Sequence, residues 1–502
     1  MEFKEQDLLN HFKELSLLQE NLALLGWDEL TGMPKDSADF RANLTEYIAD
    51  KYFSLWNSNK TQELLDYFSN HLEQLSDVSK INFRIAVRNF KRDKNLTADD
   101  FSKLSKLQTI AQSKWAEARK QNNFNLYKTA LNDLIEHNKK LIPKWRQNKE
   151  DSNYDVLLKM YESDFDTNTL NNLFNKVKKE LIKIRQKINL SGQQIADSFL
   201  NISIPIDRQR KYVLGYTSRL GYDYNKGRLD DTIHPFMTAM NRNDARITTR
   251  WNENDFKMAV LGLAHEAGHG LFEQNIDPKF DYTPAEKEMA MSIHESQSLF
   301  NEVFIARNKG FLKTEFDELK KTADGKWDDI DFDTFYRAWN KTEPTLIRTE
   351  ADPLTYPLHI IIRFEIEQEI FNNNLDIDEL PKIWNEKYKE YLGIDVPDDL
   401  SGVLQDVHWA GGSFGYFPSY ALGHFFAAQF LNTLNKNIDF NENLSKGNIE
   451  NIFNWRKENI WKYGASLTPV EILEKVTGET LNVQYWLDYM KNFYYDIYQI
   501  KE

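Results

Sequence analysis

The sequence contains no cysteine among its 502 residues. This absence excludes a disulfide framework, a catalytic thiol, a cysteine-ligated zinc site and an iron–sulfur cluster. Any transition metal must therefore be bound by histidine and carboxylate side chains. Turn-forming residues are also scarce, because 20 glycines and 13 prolines make about 7% of the chain, against roughly 12% in average proteins. This scarcity predicts long helices with short connections.

The chain also lacks an excess of positive charge and a long hydrophobic run. Its 63 Lys and Arg residues and 77 Asp and Glu residues give a net charge of −14, which disfavours nucleic acid as a partner. The mean hydropathy is −0.64, and we expect no transmembrane helix and no membrane partner. The N-terminus has no cationic start followed by an apolar stretch, so we predict a cytoplasmic protein.

Helical periodicity dominates the N-terminal third of the chain. Apolar residues at three- and four-residue spacing predict a helix over residues 8–25, further helices within residues 60–150, and a helix from about Asn168 to Leu190. The segment from Trp27 to Pro34 predicts a break after the first of these helices. This third of the chain is therefore expected to be an all-helical layer.

The composition changes near residue 220. The segment from Gly227 to Asp231 is typical of a turn, and β-branched segments at residues 234–240 and 245–251 predict a pair of short antiparallel strands. Helices are then predicted from about Asn254 to Glu273 and from about Pro284 to Asn308. The rest of the C-terminal half is expected to be mostly helical.

No linker rich in proline, glycine or serine divides the chain. We therefore predict one large, mainly helical domain over residues 1–502. Within it we expect a helical N-terminal lobe at residues 1–220 and a second lobe at residues 221–502, which contains the motif described next. The two lobes are expected to flank a cleft.

The segment His265-Glu266-Ala267-Gly268-His269 has the spacing of a helical metal site. Two histidines four residues apart lie one turn apart on the same helix face, where both imidazoles can reach one ion at about 2.0–2.1 Å. Glu266 is offset by one residue and can reach a water bound to the ion without being a ligand. The alternative is a helix whose histidines have ordinary surface or core partners.

A catalytic zinc site needs a third protein ligand and an open position. The second predicted helix of this region supplies His294 and Glu295, and Glu295 follows His269 by 26 residues. That length of chain allows a turn and an antiparallel helix that faces the first. Because adjacent residues on a helix point about 100° apart, only one of the two can face the ion. We predict Glu295 as the third ligand, with His294 as the alternative.

Nine blocks of sequence from residue 27 onward span nearly the whole chain. They are Trp27-Asp28, Met33-Pro34, His234-Pro235-Phe236, Asp244-Ala245-Arg246-Ile247-Thr248, His265-Glu266-Ala267-Gly268-His269, His294-Glu295-Ser296-Gln297, Ile347-Arg348-Thr349-Glu350-Ala351-Asp352, Gly402-Val403-Leu404-Gln405-Asp406-Val407-His408-Trp409 and Phe414-Gly415-Tyr416-Phe417-Pro418-Ser419-Tyr420. In these blocks and in their order the chain resembles the M32 metallocarboxypeptidases, the carboxypeptidase Taq family.

The resemblance implies a mainly helical, gluzincin-like fold with a deep central groove and a homodimeric assembly. With it we expect the small antiparallel β element to lie near the active site and the second lobe to be the catalytic one. It implies the release of single C-terminal residues from peptides with broad specificity. It also implies His265, His269 and Glu295 as ligands and Glu266 as the general base. Zinc is the expected metal, and cobalt is possible.

Peptide hydrolysis also requires donors for an oxyanion, and a carboxypeptidase requires a cation for the substrate carboxylate. Tyr420 and His408 are our candidate donors, because both lie in blocks that match the family. Arg348 is the first candidate for the carboxylate, since a guanidinium binds it in a bidentate fork. Arg246 is the alternative, and His234 is a candidate for lining the cleft on the C-terminal side of the cut.

Each of these residues also has a structural interpretation. Tyr420 and His408 can be ordinary core side chains, and Arg348 can pair with Asp352 four residues later in a helix. We expect Asp244 to brace the turn between the two strands. Gln405 and Asp406 have no assigned role.

Two other functions are compatible with the metal motif. An aminopeptidase or an oligoendopeptidase would use the same metal site but hydrolyse a different peptide bond of the substrate. An aminopeptidase usually needs carboxylates for the substrate amine, and the segment Thr238-Ala239-Met240-Asn241 lacks the glutamate of the Gly-Ala-Met-Glu-Asn element of such enzymes. A scaffold with a structural metal is disfavoured, because structural zinc sites are usually closed by four ligands, often cysteines. A carboxypeptidase acting on peptides with a free C-terminus is therefore predicted.

Overall fold

A computed structural model describes residues 2–501 and is mainly helical, with 67% helix and 3% strand. This agrees with the predicted fold class. None of the helices in the described residues combines the length and the hydropathy that a membrane crossing requires.

The α-helices of the described residues are numbered in chain order. They are α1 (Glu5–Thr31), α2 (Ala38–Trp56), α3 (Asn59–Ser69), α4 (Asp77–Asp93), α5 (Ala98–Gln121), α6 (Asn125–Trp145), α7 (Asn153–Leu158), α8 (Thr167–Ser191), α9 (Ile206–Arg219), α10 (Phe256–Gln274), α11 (Pro284–Lys287), α12 (Met291–Leu299), α13 (Lys309–Thr322), α14 (Phe332–Trp339), α15 (Tyr356–Asn372), α16 (Leu380–Leu392), α17 (Pro418–Asn435), α18 (Phe440–Ser445), α19 (Glu450–Asn459), α20 (Pro469–Thr477) and α21 (Gln484–Ile497).

Shorter helical segments connect several of these helices. The 3₁₀ segments are Lys35–Ser37, Leu72–Gln74, Ser198–Leu200, Pro278–Phe280, Arg348–Glu350, Ile377–Glu379 and Trp461–Ser466, and Phe300–Ile305 is a π-helix that follows α12 directly. The predicted helix at residues 168–190 corresponds closely to α8. The predicted end of the first helix is too early, because α1 continues through Trp27 and ends at Thr31.

The small sheet has three strands, β1 (Leu229–Asp231), β2 (Met237–Asn241) and β3 (Asp244–Thr249), in the order β1-β3-β2. The predicted antiparallel pair is confirmed as β2 and β3. The interpretation of residues 227–231 as a turn is wrong for β1, which pairs in parallel with β3. The physical reason is that β1 depends on a distant partner: the Ile247 N–H donates to the Arg228 carbonyl at 2.9 Å. A strand of three residues is too short to be predicted from an alternation of apolar and polar residues.

The chain divides into two compact units, each assembled from three separate segments. The first contains residues 2–90, 196–339 and 430–480, and the second contains residues 91–195, 340–429 and 481–501. The sequence-based division into lobes at residue 220 stays a prediction.

In the first unit, α10 is the most buried helix near the sheet and contacts β2, β3 and α12. Its sequence is rich in Leu, Ala and Gly, and the Asp255 side chain caps its start by accepting the Met258 N–H at 3.0 Å. The helix is thereby fixed among core elements on several sides, which holds its polar residues in defined positions.

The predicted single helix over residues 284–308 is wrong. The chain forms the short helix α11, an extended link at residue 290 with ψ of 137°, then α12 and the π-helix. A π-turn accommodates one more residue per turn than an α-helix does, and such turns are frequent at functional sites. No local feature of the sequence distinguishes this turn from continued α-helix.

In the second unit, α15 is the central apolar helix. It contacts α7, α8 and α16 and buries most of its residues. Its run of isoleucines, Ile360-Ile361-Ile362, is fully buried, and the following residue is an arginine.

Candidate functional site

His265, His269 and Glu295 converge in the first unit. The Glu295 Oε2 atom lies 3.6 Å from His265 Nε2 and 3.8 Å from His269 Nε2, and one ligand atom from each residue lies within 4.8 Å of the others. Ligands at about 2.0–2.1 Å from a tetrahedral ion would be about 3.4 Å apart. Two imidazole nitrogens and a carboxylate oxygen at this spacing therefore fit a divalent ion.

A carboxylate from the π-helix orients His265. The Nδ1 atom of His265 lies 2.9 Å from Glu302 Oε2, and an ionised carboxylate can only accept a hydrogen bond. His265 therefore donates from Nδ1, which leaves the lone pair on Nε2, on the side of Glu295. Glu302 is not among the residues predicted from the sequence, although its position seven residues after Glu295 places both on one helix face.

A second histidine orients His269. The Nε2 atom of His294 lies 2.8 Å from Glu273 Oε1, and the Nδ1 atoms of His294 and His269 are hydrogen-bonded to each other. Because Glu273 accepts, His294 donates from Nε2 and accepts at Nδ1, and His269 keeps its lone pair on Nε2. His294, the alternative third ligand, thus contacts His269 and Glu273. The geometry favours Glu295 for the ligand position.

Carboxylate groups around His265 and His269 outnumber the positively charged groups there. Burial raises the pKa of Glu266 to about 7, with Glu295 and Glu302 raising it further against the opposing effect of His265. Burial lowers the pKa of His265, but Glu302, Glu295 and Glu266 outweigh burial and raise it to about 9. Glu266 and Glu295 are buried and Glu302 is partly buried, and Arg307, 3.7 Å from Glu302, offsets one of these three carboxylates. A divalent cation would offset the negative charge that remains beside the two imidazoles.

Gly268, inside the histidine motif, allows α10 and α12 to approach closely. A Cβ atom at this position would lie 2.4 Å from the Gln297 carbonyl oxygen and 2.5 Å from the Ser298 Cα atom. Both neighbours are backbone atoms of α12 and cannot move without moving the helix. The glycine therefore helps to set the distance between the histidines on α10 and Glu295 on α12.

Arg348 is buried in the second unit, with 6% of its surface exposed. Its Nε donates to Asp406 Oδ1 at 2.9 Å, its Nη1 donates to Tyr356 Oη at 2.7 Å, and its backbone N–H donates to Gln405 Oε1 at 2.9 Å. Asp352, the alternative partner from the sequence, instead accepts from the Leu354 backbone N–H at 2.9 Å. The carboxylate that pairs with Arg348 is therefore Asp406, a residue left without a role by the sequence analysis.

A second arginine binds the same carboxylate. Arg363 on α15 is fully buried and donates from Nε to Asp406 Oδ2 at 2.6 Å and from Nη2 to Gln405 Oε1 at 2.8 Å. Arg363 is not among the residues predicted from the sequence, although a lone arginine inside the apolar run of α15 is itself a signal. A buried charge is costly unless it is paired, so such a residue predicts a buried partner.

His408 and Tyr420 lie beside this arginine cluster. The His408 Nε2 atom is 3.3 Å from Tyr420 Oη, its Nδ1 is 4.0 Å from Asp406 Oδ1, and the Arg348 guanidinium carbon is 5.1 Å from the Tyr420 ring centre. Burial and the charges of Arg348 and Arg363 outweigh Asp406 and lower the pKa of His408 to about 3. The imidazole is therefore neutral near pH 7. The second unit thus brings together three of the predicted site residues.

The two remaining candidates lie in the first unit. Arg246 on β3 donates from Nε and Nη2 to both oxygens of Asp244, at 2.7 and 2.8 Å, and lies 5.6 Å from the Trp27 ring centre. It also lines a cavity of 710 Å³. His234 is exposed, in the loop between β1 and β2.

Known proteins match the chain along almost its full length. Residues 7–494 match the family model described as carboxypeptidase Taq (M32) metallopeptidase. The chain is 39% identical to carboxypeptidase 1 of Bacillus subtilis strain 168, and the match covers 98% of each chain. It is 32% identical to thermostable carboxypeptidase 1 of Thermus thermophilus, again over 98% of each.

Solved structures give the same result. The crystal structure of an M32 carboxypeptidase from Deinococcus radiodurans R1 superposes with a TM-score of 0.93 at 29% identity, covering 99% of both chains. The helical fold, the paired histidines and the full-length matches lead to one assignment. The chain belongs to the carboxypeptidase Taq (M32) family and is a metal-dependent carboxypeptidase, a peptide hydrolase.

Proposed function

We propose that this protein is a zinc-dependent carboxypeptidase that releases single residues, with broad specificity, from the free C-terminus of peptides. The observation that carries the proposal is the convergence of His265, His269 and Glu295 next to the buried Glu266. Nitrogen and carboxylate donors in this number suit zinc, and cobalt suits the same set.

We assign His265, His269 and Glu295 as the ligands. A zinc ion held there supplies Lewis acidity, which polarises a carbonyl and lowers the pKa of a water molecule toward about 7. Glu302 fixes the ring of His265, and His294 fixes the ring of His269. Such outer partners keep the coordinating lone pairs aimed at one point, which reduces the ordering that metal binding requires.

Glu266 is the proposed general base. It lies one residue from His265 and is 8% exposed, so its carboxylate is close to the ligand set and shielded from bulk water. Burial keeps it more basic than an ordinary glutamate, and a pKa near the working pH suits a group that must both accept and return a proton. It would take the proton of the attacking water and deliver it to the leaving amine.

Arg348 is the proposed group for the substrate carboxylate. Its cluster contains two guanidinium groups and one carboxylate, so a positive charge remains for an anionic ligand. The Tyr420 hydroxyl and the neutral imidazole of His408 are proposed donors for the oxyanion of the tetrahedral intermediate. Arg246 and Asp244 form a one-to-one pair of opposite charges, whereas Arg348 shares its carboxylate with a second arginine, and this difference in charge favours Arg348. A substrate contact by His234 stays a prediction.

The homodimer and the cytoplasmic location are proposed from the resemblance and the sequence alone. Sedimentation of the purified protein would test the first of these expectations.

A peptide ladder tests the direction and the size of the cut. Two versions of one peptide are used, one acetylated at the N-terminus and one amidated at the C-terminus, and products are followed by mass spectrometry. We expect stepwise loss of single residues from the acetylated peptide and no change in the amidated one. Cleavage of only the amidated peptide would identify an aminopeptidase, and internal fragments would identify an oligoendopeptidase.

A further inference from the structure

Arg363 is a fully buried cation to which the proposed function assigns no contact with the substrate. It lies on α15 directly after three buried isoleucines, and its Nη1 donates to the His359 carbonyl oxygen at 2.8 Å. Burying a guanidinium in such surroundings is unfavourable unless every donor has a partner. The position is therefore maintained by specific contacts and not by packing alone.

Two of those contacts are shared with Arg348. Asp406 binds Arg348 through Oδ1 and Arg363 through Oδ2, at 2.9 and 2.6 Å. Gln405 Oε1 accepts both the backbone N–H of Arg348, at 2.9 Å, and Nη2 of Arg363, at 2.8 Å. Both the side chain and the backbone of Arg348 are thus bound to groups that Arg363 also binds.

The second arginine also changes the net charge of the cluster. A single Arg348–Asp406 pair would be neutral and would attract an anionic ligand weakly. With Arg363 the three groups carry one net positive charge, and the nearby imidazoles of His408 and His359 do not add to it, because burial and the two arginines lower the pKa of both. Glu367, one turn further along α15, is also buried, but burial raises the pKa of its carboxyl to about 7, so it offsets this charge only in part. The cluster therefore keeps a surplus of positive charge in a place where water does not screen it strongly.

We infer that Arg363 is a positioning residue for substrate recognition: it holds Asp406 and Gln405 against Arg348 and leaves the cluster electropositive toward a peptide's terminal carboxylate. The inference rests on the proposed role of Arg348. Arg363 acts through its neighbours and is not assigned a contact with the substrate.

The test compares two ligands that differ only at the C-terminus, an N-acetylated dipeptide with a free carboxylate and its amide, as competitive inhibitors of peptide hydrolysis. The variants are Arg363→Gln, which removes the charge, and Arg363→Lys, which keeps the charge but cannot bind Asp406 and Gln405 together. The control is Arg185→Gln, because Arg185 lies in the same unit and donates only to the backbone carbonyls of Tyr391 and Leu392.

We expect the wild-type protein to prefer the free carboxylate. Arg363→Gln should reduce that preference at least 10-fold and raise KM for peptides, with a smaller change in kcat and no loss of bound zinc. Arg363→Lys should be intermediate, and Arg185→Gln should keep the wild-type preference. This split between KM and kcat, with partial rescue by lysine, is not expected if Arg363 only stabilises the fold.

Different failures have different meanings. No preference in the wild-type protein would reject the proposed function itself. A wild-type preference that survives in folded Arg363→Gln would overturn the inference and leave the proposed function intact. If circular dichroism shows that Arg363→Gln is unfolded, Arg363→Lys decides: a reduced preference supports the inference, and unchanged constants overturn it.

Discussion

The two buried charged clusters of this protein have opposite imbalances. In the first unit, three carboxylates lie beside two imidazoles and one arginine, Arg307; in the second unit, two guanidinium groups share one carboxylate. A buried charge without a counter-charge costs free energy, so neither imbalance would be expected in a purely structural cluster. The sign of each surplus identifies the kind of ligand that would offset it, a cation in one case and an anion in the other.

Removal of the metal should distinguish the functions of the two clusters most clearly. We expect a chelator to abolish hydrolysis and added zinc or cobalt to restore it, because only the first cluster depends on a cation. The metal-free protein should still bind an N-acetylated dipeptide more tightly than its amide, measured by calorimetry. Persistence of full hydrolysis after the metal is shown to be gone would contradict the proposed function.

Replacement of the proposed base should have the next largest effect. Glu266→Gln keeps the size of the side chain and removes its basicity, and a general base contributes on the order of 10²–10⁴-fold to a rate. We expect kcat to fall by about that factor while zinc content, measured by plasma emission spectroscopy, stays at one ion per chain. Loss of zinc in proportion to activity would instead make Glu266 part of the metal-binding set.

Replacement of Arg348 should affect recognition more than chemistry. A hydrogen bond to a charged group contributes about 1.5–3 kcal/mol, so Arg348→Gln should lower kcat/KM by roughly 10–100-fold, mainly through KM. Arg246→Gln serves as the matched control, because Asp244 balances the charge of Arg246 one to one, and a much smaller change is expected. A larger effect on kcat/KM from Arg246→Gln than from Arg348→Gln would identify Arg246 as the residue that binds the substrate carboxylate.

The smallest effect is expected at Glu302. Glu302→Gln keeps an acceptor for His265 but removes one of the three carboxylate charges, and loss of an outer partner typically lowers metal affinity by about 10–100-fold. Because an acceptor remains, we expect the lower end of that range, measured by competition with a chromophoric chelator. An increase in zinc affinity would show that the negative surplus of the first cluster does not favour the cation.

The sequence was most informative where function depends on local spacing. The four-residue spacing of His265 and His269, and the return to Glu295, predicted a cluster whose side chains converge in the structure. The pair β2 and β3 was predicted from β-branched composition. These features lie within one or two neighbouring elements, where helical and strand periodicity directly determine which side chains share a face.

The features that the sequence did not predict depend on distant partners. Strand β1 is defined by its pairing with β3, and the π-helix that presents Glu302 has no compositional mark. Glu273 acquires its role only through His294, because the two lie on different helices. Arg363 is the exception, because an arginine within an apolar run is visible in the sequence and by itself predicts a buried partner of opposite charge.

Gly268 has a consequence for how the histidine motif is interpreted. Motif searches treat the two residues before the second histidine as interchangeable, yet here even an alanine at position 268 would meet the backbone of α12. The same neighbouring helix carries the third ligand. The residue types that fit at position 268 are therefore determined by a chain segment about thirty residues away. In this fold the pentapeptide and the helix that carries Glu295 form one structural unit, and grafting either of them alone into another scaffold would not transfer the site.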